Sequence, residues 1–392
     1  MRSHLLFWSF DNVPERNKID GVVRSMNGFT RRMSWLGPAV LAVTLAGFGG
    51  ARAATGIRAL DEPAIAVKAP ATVALIAITK AGHRLVAVGE HGVIIYSDDN
   101  GVTWKQGSVP VTVTLTCVAF VSPLQGWAAG HYGVILHTDD GGVTWQEQLN
   151  GIQANQLTMA AAQADVAATN NSYNAQRAVR RANFFISDGP DKPFLTILAT
   201  GPNDAMVFGA YRMVMKTTDG GRTWTDWSEH VGDPLSHNLY QVIQAGSDLW
   251  IAGEIGLVFR STDGGNSFNE VTAPTDATMF GALPTGAGPA VDGGVLVFGI
   301  AGQAYRSTDG GKTWQSIAFA TPANLIAGKV LKSGALVVVG GDGSVYRSDD
   351  HGQSFKLAAV EPMALYDLVQ ADDGALVLVG NYGVERIAGG TD

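Results

Sequence analysis

The nine residues RSTDGGKTW, Arg306–Trp314, return as RSTDGGNSF at Arg260–Phe268. Shorter versions stand at Ser97–Trp104 (SDDNGVTW), Thr138–Trp145 (TDDGGVTW), Thr217–Trp224 (TTDGGRTW) and Ser348–Phe355 (SDDHGQSF), and the six copies start 41, 79, 44, 46 and 41 residues apart. A period of roughly 40–50 residues marks a chain built from repeated supersecondary units, each needing its neighbours to bury its apolar face. The doubled interval holds an insertion rather than a lost unit.

Each copy follows a second signature, Gly-x-x-Gly and an apolar strand: GEHGVIIY at Gly89, GHYGVILH at Gly130, GEIGLVFR at Gly253, GIAGQAYR at Gly299 and GGDGSVYR at Gly340. GAYRMVMK at Gly209 departs, with Arg212 in place of the second glycine, and GNYGVERI at Gly380 is a seventh unit lacking the aspartate phrase. One strand precedes each glycine pair (HRLVAV, DLWIAG), another precedes that (LTCVAF, LYQVIQ), and a fourth, more polar one follows the aromatic residue. Val93, Ile94 and Ile95 are apolar in succession, as in a strand covered on both faces. Seven units of four strands predict an all-β, seven-bladed β-propeller. The chain stops after the third strand of unit seven, so PAIAVKAP, Pro63–Pro70, is expected to supply the missing strand and close the ring.

The repeated phrase reads as a hairpin between third and fourth strands. The carboxylates of Asp99, Asp140, Asp219, Asp263, Asp309 and Asp350 are placed to accept backbone N–H groups, the Ser or Thr two residues earlier assists, and glycine permits positive φ. These are structural roles, and the missing twelfth-position glutamate argues against a calcium loop. The insertion, residues 151–190, is expected to hold helices over Gln156–Ala168 and Ala175–Phe184. Cys117, the only cysteine, reads as a buried strand residue and excludes a disulfide or a cysteine-rich metal site.

Residues 1–53 read as an N-terminal extension and a cleaved export signal: Arg31 and Arg32 precede an apolar run that ends at Ala51 and Ala53. Met26 is a candidate start, and both the general and the twin-arginine export routes fit. The domain proper is then 54–392. Removal of 1–53 takes seven Lys/Arg and three Asp/Glu from a net charge of −8 and leaves −12, a poor match for nucleic acid.

The phrase matches the Asp-box, or BNR repeat, of sialidases and other propellers, which implies fold rather than catalysis. No sialidase-type arginine cluster or Arg-Ile-Pro segment accompanies it, His91, His131 and His137 lack metal-ligand spacing, and no P-loop, nucleophile elbow or dinucleotide fingerprint appears. An enzyme is not expected, nor is a cofactor or metal; a carbohydrate-active propeller is the competing class. The combination of export signal, glycine pairs, Asp-boxes and N-terminal closure, over about residues 60–390, resembles the photosystem II stability/assembly factor family. That resemblance implies a noncatalytic, monomeric protein of the periplasm or thylakoid lumen, in peripheral contact with a membrane. Its expected partners are subunits of a membrane protein complex or an envelope exporter, presented with an arginine patch. The residues before the boxes supply candidates: Lys216, Arg260, Arg306 and Arg347, with Arg386 in unit seven, form either a basic arc for a partner or a set of inter-blade contacts. Arg177, Arg180 and Arg181, beside Phe184 and Phe185, form a second candidate docking surface in the insertion.

Overall fold

The computed structural model describes residues 54–286 and 294–387; the export-signal reading lies outside them. The strands form seven antiparallel sheets in chain order, six of four strands and a last one of three. Their first strands, Leu75–Ala81, Leu115–Phe120, Phe194–Ala199, Leu239–Ala245, Met279–Pro284, Leu325–Val330 and Leu365–Gln370, touch one another in sequence, and the seventh touches the first. This is a ring of seven blades with the first strands innermost. Every first strand carries a β-bulge near its start, as between Leu75 and Ala77, which sharpens its twist where the blades converge.

Second strands such as Arg84–Gly89 and Leu336–Gly340 are buried almost throughout, because both faces of each blade are covered by neighbours. The apolar clusters accordingly lie between blades: Val86, Val88 and Ile94 of blade one meet Leu115, Ala128 and Leu136 of blade two. Side chains also stitch the inner ring. The Ile78 N–H donates to Asp367 at 3.0 Å, Val242 N–H to Thr196 at 3.3 Å and Ala282 N–H to Gln241 at 2.7 Å.

The closing strand is not formed. Pro63–Pro70 makes no ladder with blade seven, whose described sheet ends at Gly383–Ile387. Its polar groups go instead to blade one and the segment after it: Val67 N–H donates to Gln106 Oε1 at 2.8 Å, Gln106 Nε2 donates to Ile65 O at 2.9 Å, and Ala64 N–H donates to Val109 O at 3.0 Å. Prolines at both ends of the segment lack the N–H that a ladder requires. The seam between blades seven and one is sealed by side chains, with Val67, Val73 and Val384 packed on Leu75, Ile95, Val377 and Val379. Gly383 is required there, since a Cβ would stand 1.9 Å from Ala71 O. Upstream, the single-turn helix α1, Arg58–Asp61, drops Leu60 wholly into the cluster between blades one and two.

The insertion leaves blade two as helix α2, Gly151–Ala168, and returns as α3, Tyr173–Asp188. Both exceed their sequence-based bounds because their ends are set by caps. Asn150 and Gln153 make a reciprocal capping box, Ser172 caps α3, and Gly189 at φ 107 ends it. Ala162 of α2 packs on Ala178 and Ala182 of α3, small residues that bring the two helices close. Among the described residues, no helix is long and apolar enough to cross a membrane.

Candidate functional site

The propeller has two faces. Asp-boxes lie on one, at the turns between third and fourth strands; the Gly-x-x-Gly turns between second and third strands lie on the other.

On the box face each aspartate is saturated. Ser97 Oγ donates to Asp99 Oδ1 at 2.8 Å and accepts Gly101 N–H at 2.9 Å, while Thr103 donates its N–H to Oδ1 at 2.8 Å and its hydroxyl to Oδ2 at 2.5 Å. Asp140, Asp219, Asp263, Asp309 and Asp350 repeat the pattern with Thr144, Thr223, Ser267, Thr313 and Ser354. The hydroxyl residue before the aromatic is therefore part of the box, a regularity visible in all six copies that the sequence reading passed over. The bonds favour the ionised carboxylate: led by the Thr103 hydroxyl at Asp99, the Ser267 hydroxyl at Asp263 and the Thr313 hydroxyl at Asp309, they hold all three at about 2.

The basic arc lies on this face, and its cations are engaged. Arg260 grips Asp248 through Nε at 2.7 Å and Nη2 at 2.5 Å, and its Nη1 donates to Gly310 O of the next blade's box at 3.1 Å. Arg306 Nε donates to His351 O at 2.9 Å, again in the following box. Arg386 pairs with Asp373 and donates to Asn100 O of blade one at 3.1 Å, spanning the seam. Arg347 pairs with Asp349 at 2.8 Å, and Lys216 lies 4.1 Å over the Trp227 ring. Where the arc has no arginine, other side chains reach the next box: Arg84 to Gly141 O at 3.1 Å, Gln148 to Gly220 O at 2.9 Å and Trp227 to Gly265 O at 2.8 Å. All six box turns are thus clasped from the preceding blade.

The turn face differs. The residue before the second glycine is left-handed in five blades, with φ 54–55 at His91, Tyr132, Tyr211, Ile255 and Ala301. The next position is also left-handed, at φ 72, 57, 71 and 71 for Gly92, Gly133, Gly256 and Gly302, and in blade three Arg212 adopts φ 57 there. A non-glycine residue in this region carries a strain of about 1–2 kcal/mol.

Arg212 is buried, and it is where the insertion meets the ring. Its Nη2 donates to Glu229 at 2.7 Å and its Nη1 to Val231 O at 3.1 Å; Arg181 of α3 reaches the same Glu229 at 3.0 Å. Phe184 and Phe185 stack edge-on against Tyr211, fixing α3 on this turn. Burial, and then the charge of Arg181, lower the Arg212 pKa against the opposing pull of Glu229, Asp233 and Asp226. An open cleft of about 290 Å³ lies between α3 and the segment after Glu229, lined by Arg177, Arg181, Arg212, Glu229 and Asp233. Arg180 projects from α3 over the exposed Tyr173 ring. No group of three or more His, Cys, Asp or Glu side chains suited to a metal occurs among the described residues, and Cys117 is buried with its thiol pushed up to about 12.

Ring, blade count and boxes together define a seven-bladed Asp-box propeller. The family model described as photosynthesis system II assembly factor YCF48 matches residues 98–168 and 189–322, and the chain belongs to that family. The match skips 169–188, the stretch that holds α3. A photosystem II assembly lipoprotein Ycf48 from Synechococcus sp. (strain CC9902) is 35% identical over 81 residues, 21% of this chain and 24% of that protein, so the match spans about a quarter of its length. A solved structure of YCF48 bound to D1 peptide shares 17% identity at a TM-score of 0.60, covering 84% of this chain and all of that one. YCF48 from Cyanidioschyzon merolae gives 15% identity and a TM-score of 0.58 over 81% of this chain and 97% of its own. A streptogramin B lyase gives 14% and 0.59, over 84% and 98%.

Proposed function

We propose that this chain is a noncatalytic, exported binding propeller that holds a subunit of a membrane protein complex during assembly or stabilisation. Membership of the YCF48 family carries this reading, and the solved relative bound to a D1 peptide supports a polypeptide as the bound species. The Synechococcus relative, a lipoprotein, supports a site of action outside the cytoplasm at a membrane surface. The inner ring points away from glycoside hydrolysis, which needs two carboxylates flanking the scissile bond. The seven first strands contain one, Asp367, and it is occupied by Lys329 at 3.2 Å and the Ile78 N–H.

We place the partner contact on the turn face, at the insertion. There α3 exposes Tyr173, Arg180 and Phe184 along one side, a mixed cationic and apolar strip suited to a protein surface. Purification of the tagged protein from its native host in mild detergent, with mass spectrometry of what co-elutes, is expected to recover subunits of one membrane complex reproducibly. Clean protein, together with a positive glycan array or glycosidase assay, would replace this reading with the carbohydrate-active one.

A further inference from the structure

We infer that the cleft between α3 and blade three is a carboxylate-binding site, with Arg177 as the free hand and Arg181 and Arg212 as its fixed wall. The site stands on local geometry and does not depend on the assembly role.

Three guanidiniums face two carboxylates in the cleft lining, and the carboxylate of Asp226 also acts on Arg212. Both carboxylates of the lining are already spoken for. Glu229 takes Arg181 and Arg212, and Asp233, fully buried, accepts the N–H groups of Leu235 and His237 and faces the His237 ring at 3.0 Å. Arg177 makes no hydrogen bond or ion pair with the described residues, although it is half-buried beside two other cations. Arg181 and Arg212, each more than nine-tenths buried as side chains, also keep an Nε–H without an acceptor. Buried donors left unpaired are destabilising, more so when charged, and the strain at Arg212 adds to this. Glycine at that position, as in all six sister blades, would remove both costs. An arrangement that keeps a strained arginine and an unpaired one at the same cleft is arranged for an acceptor from outside.

The geometry favours a carboxylate. A planar guanidinium fork matches it in bidentate fashion, and the volume is at the small end for ligand sites. A phosphate dianion would overcompensate the lining. The source is either a polypeptide, through its C-terminus or an acidic side chain, or a small free acid. Three of the ten lining residues, Asn174, Arg177 and Arg181, lie on α3 in the stretch that the family match omits, and the other seven lie within the matched residues 189–322.

Calorimetric titration of the purified protein tests the assignment with four probes: the peptide acetyl-Ala-Ala-Leu-Ala as free acid, the same peptide as C-terminal amide, succinate, and inorganic phosphate. A carboxylate must bind, at least tenfold more tightly than the amide and more tightly than phosphate. A stronger signal from the peptide acid assigns a polypeptide source, and one from succinate a free small acid; either outcome upholds the site. Arg177→Gln, which removes no hydrogen bond or ion pair with the described residues, is expected to weaken the bound acid at least tenfold with an unchanged melting curve, and Arg212→Gly to weaken it likewise while still folding. Equal binding of acid and amide, tighter phosphate binding, no binding of any probe, or an Arg177→Gln protein that titrates like the parent would overturn the proposal.

Discussion

The two faces of this ring differ in what their turns have left to give. On the box face the aspartate of each of the six boxes is held by its own turn, and each box is clasped by a side chain from the blade before it. On the turn face, around α3, charged donors are left over: among the described residues Arg177 has no hydrogen-bond or ion-pair partner and two buried guanidiniums keep an unpaired N–H, whereas the unpaired buried donors near the boxes are the neutral indoles of Trp224 and Trp250. A satisfied polar network fixes one structure, and an unsatisfied one has capacity for a ligand. Repetition therefore holds the ring, and the blade that departs at Arg212 carries the binding chemistry proposed above.

The largest effect expected is at the seam. Deleting residues 59–69 removes Leu60, the Ala64–Val109 and Thr112–Ala59 backbone bonds and Val67 from the closing cluster. The melting temperature should fall by many degrees; Leu60→Ala alone should cost about 2–5 kcal/mol. An unchanged melt in calorimetry would show that the N-terminal segment does not hold the ring.

Acid should strike the box face next. The box aspartates sit below their ordinary value, with Asp99, Asp263 and Asp309 at about 2, so they bind protons less readily folded than unfolded. Their stabilisation is complete above about pH 4 and is lost as pH falls through 2. Melting temperature measured across pH 7 to 2 should hold level to about 4 and then drop. A decline centred near pH 6 would place the controlling groups elsewhere.

A smaller difference separates single arginines. Arg260→Gln loses the ion pair in which two guanidinium N–H groups share Asp248 Oδ2, together with the clasp on the Gly310 turn, and should lower the melting temperature by a few degrees. Arg177→Gln should leave it within about 1 °C, since surface changes without partners stay within roughly 0.5 kcal/mol. Equal losses in the two variants would erase the distinction between the faces. Arg212→Gly should shift stability by no more than about 1 kcal/mol, because relief of left-handed strain offsets two lost hydrogen bonds; a larger shift in the thermal melt of that variant would contradict this balance.

The architecture was legible because the boxes are local. Six hydroxyl–aspartate–glycine turns declare themselves within eight residues, and the glycine pairs fix the count at seven. Both helices of the insertion were legible from alanine content, but their first turns were not, since Asn150 and Gln153 act through a cap rather than through periodicity. The closing segment was misread because apolar alternation in PAIAVKAP resembles a strand, whereas two prolines and the Gln106 side chain redirect its hydrogen bonds. Arg212 stood out in the sequence as a departure. Its meaning depends on Arg181, 31 residues upstream, and Glu229, 17 downstream, a meeting that only the folded chain creates.

The most direct test compares partner capture by two variants in the native host, read by mass spectrometry after mild detergent extraction: Arg177→Gln with Arg180→Gln, and Arg260→Gln with Arg306→Gln and Arg347→Gln. The account predicts that the insertion variant loses the membrane-complex subunits that the parent recovers, while the box-face variant, though less stable, still recovers them. Loss confined to the box-face variant, at a temperature where it remains folded, would contradict the account and return the binding surface to the basic arc.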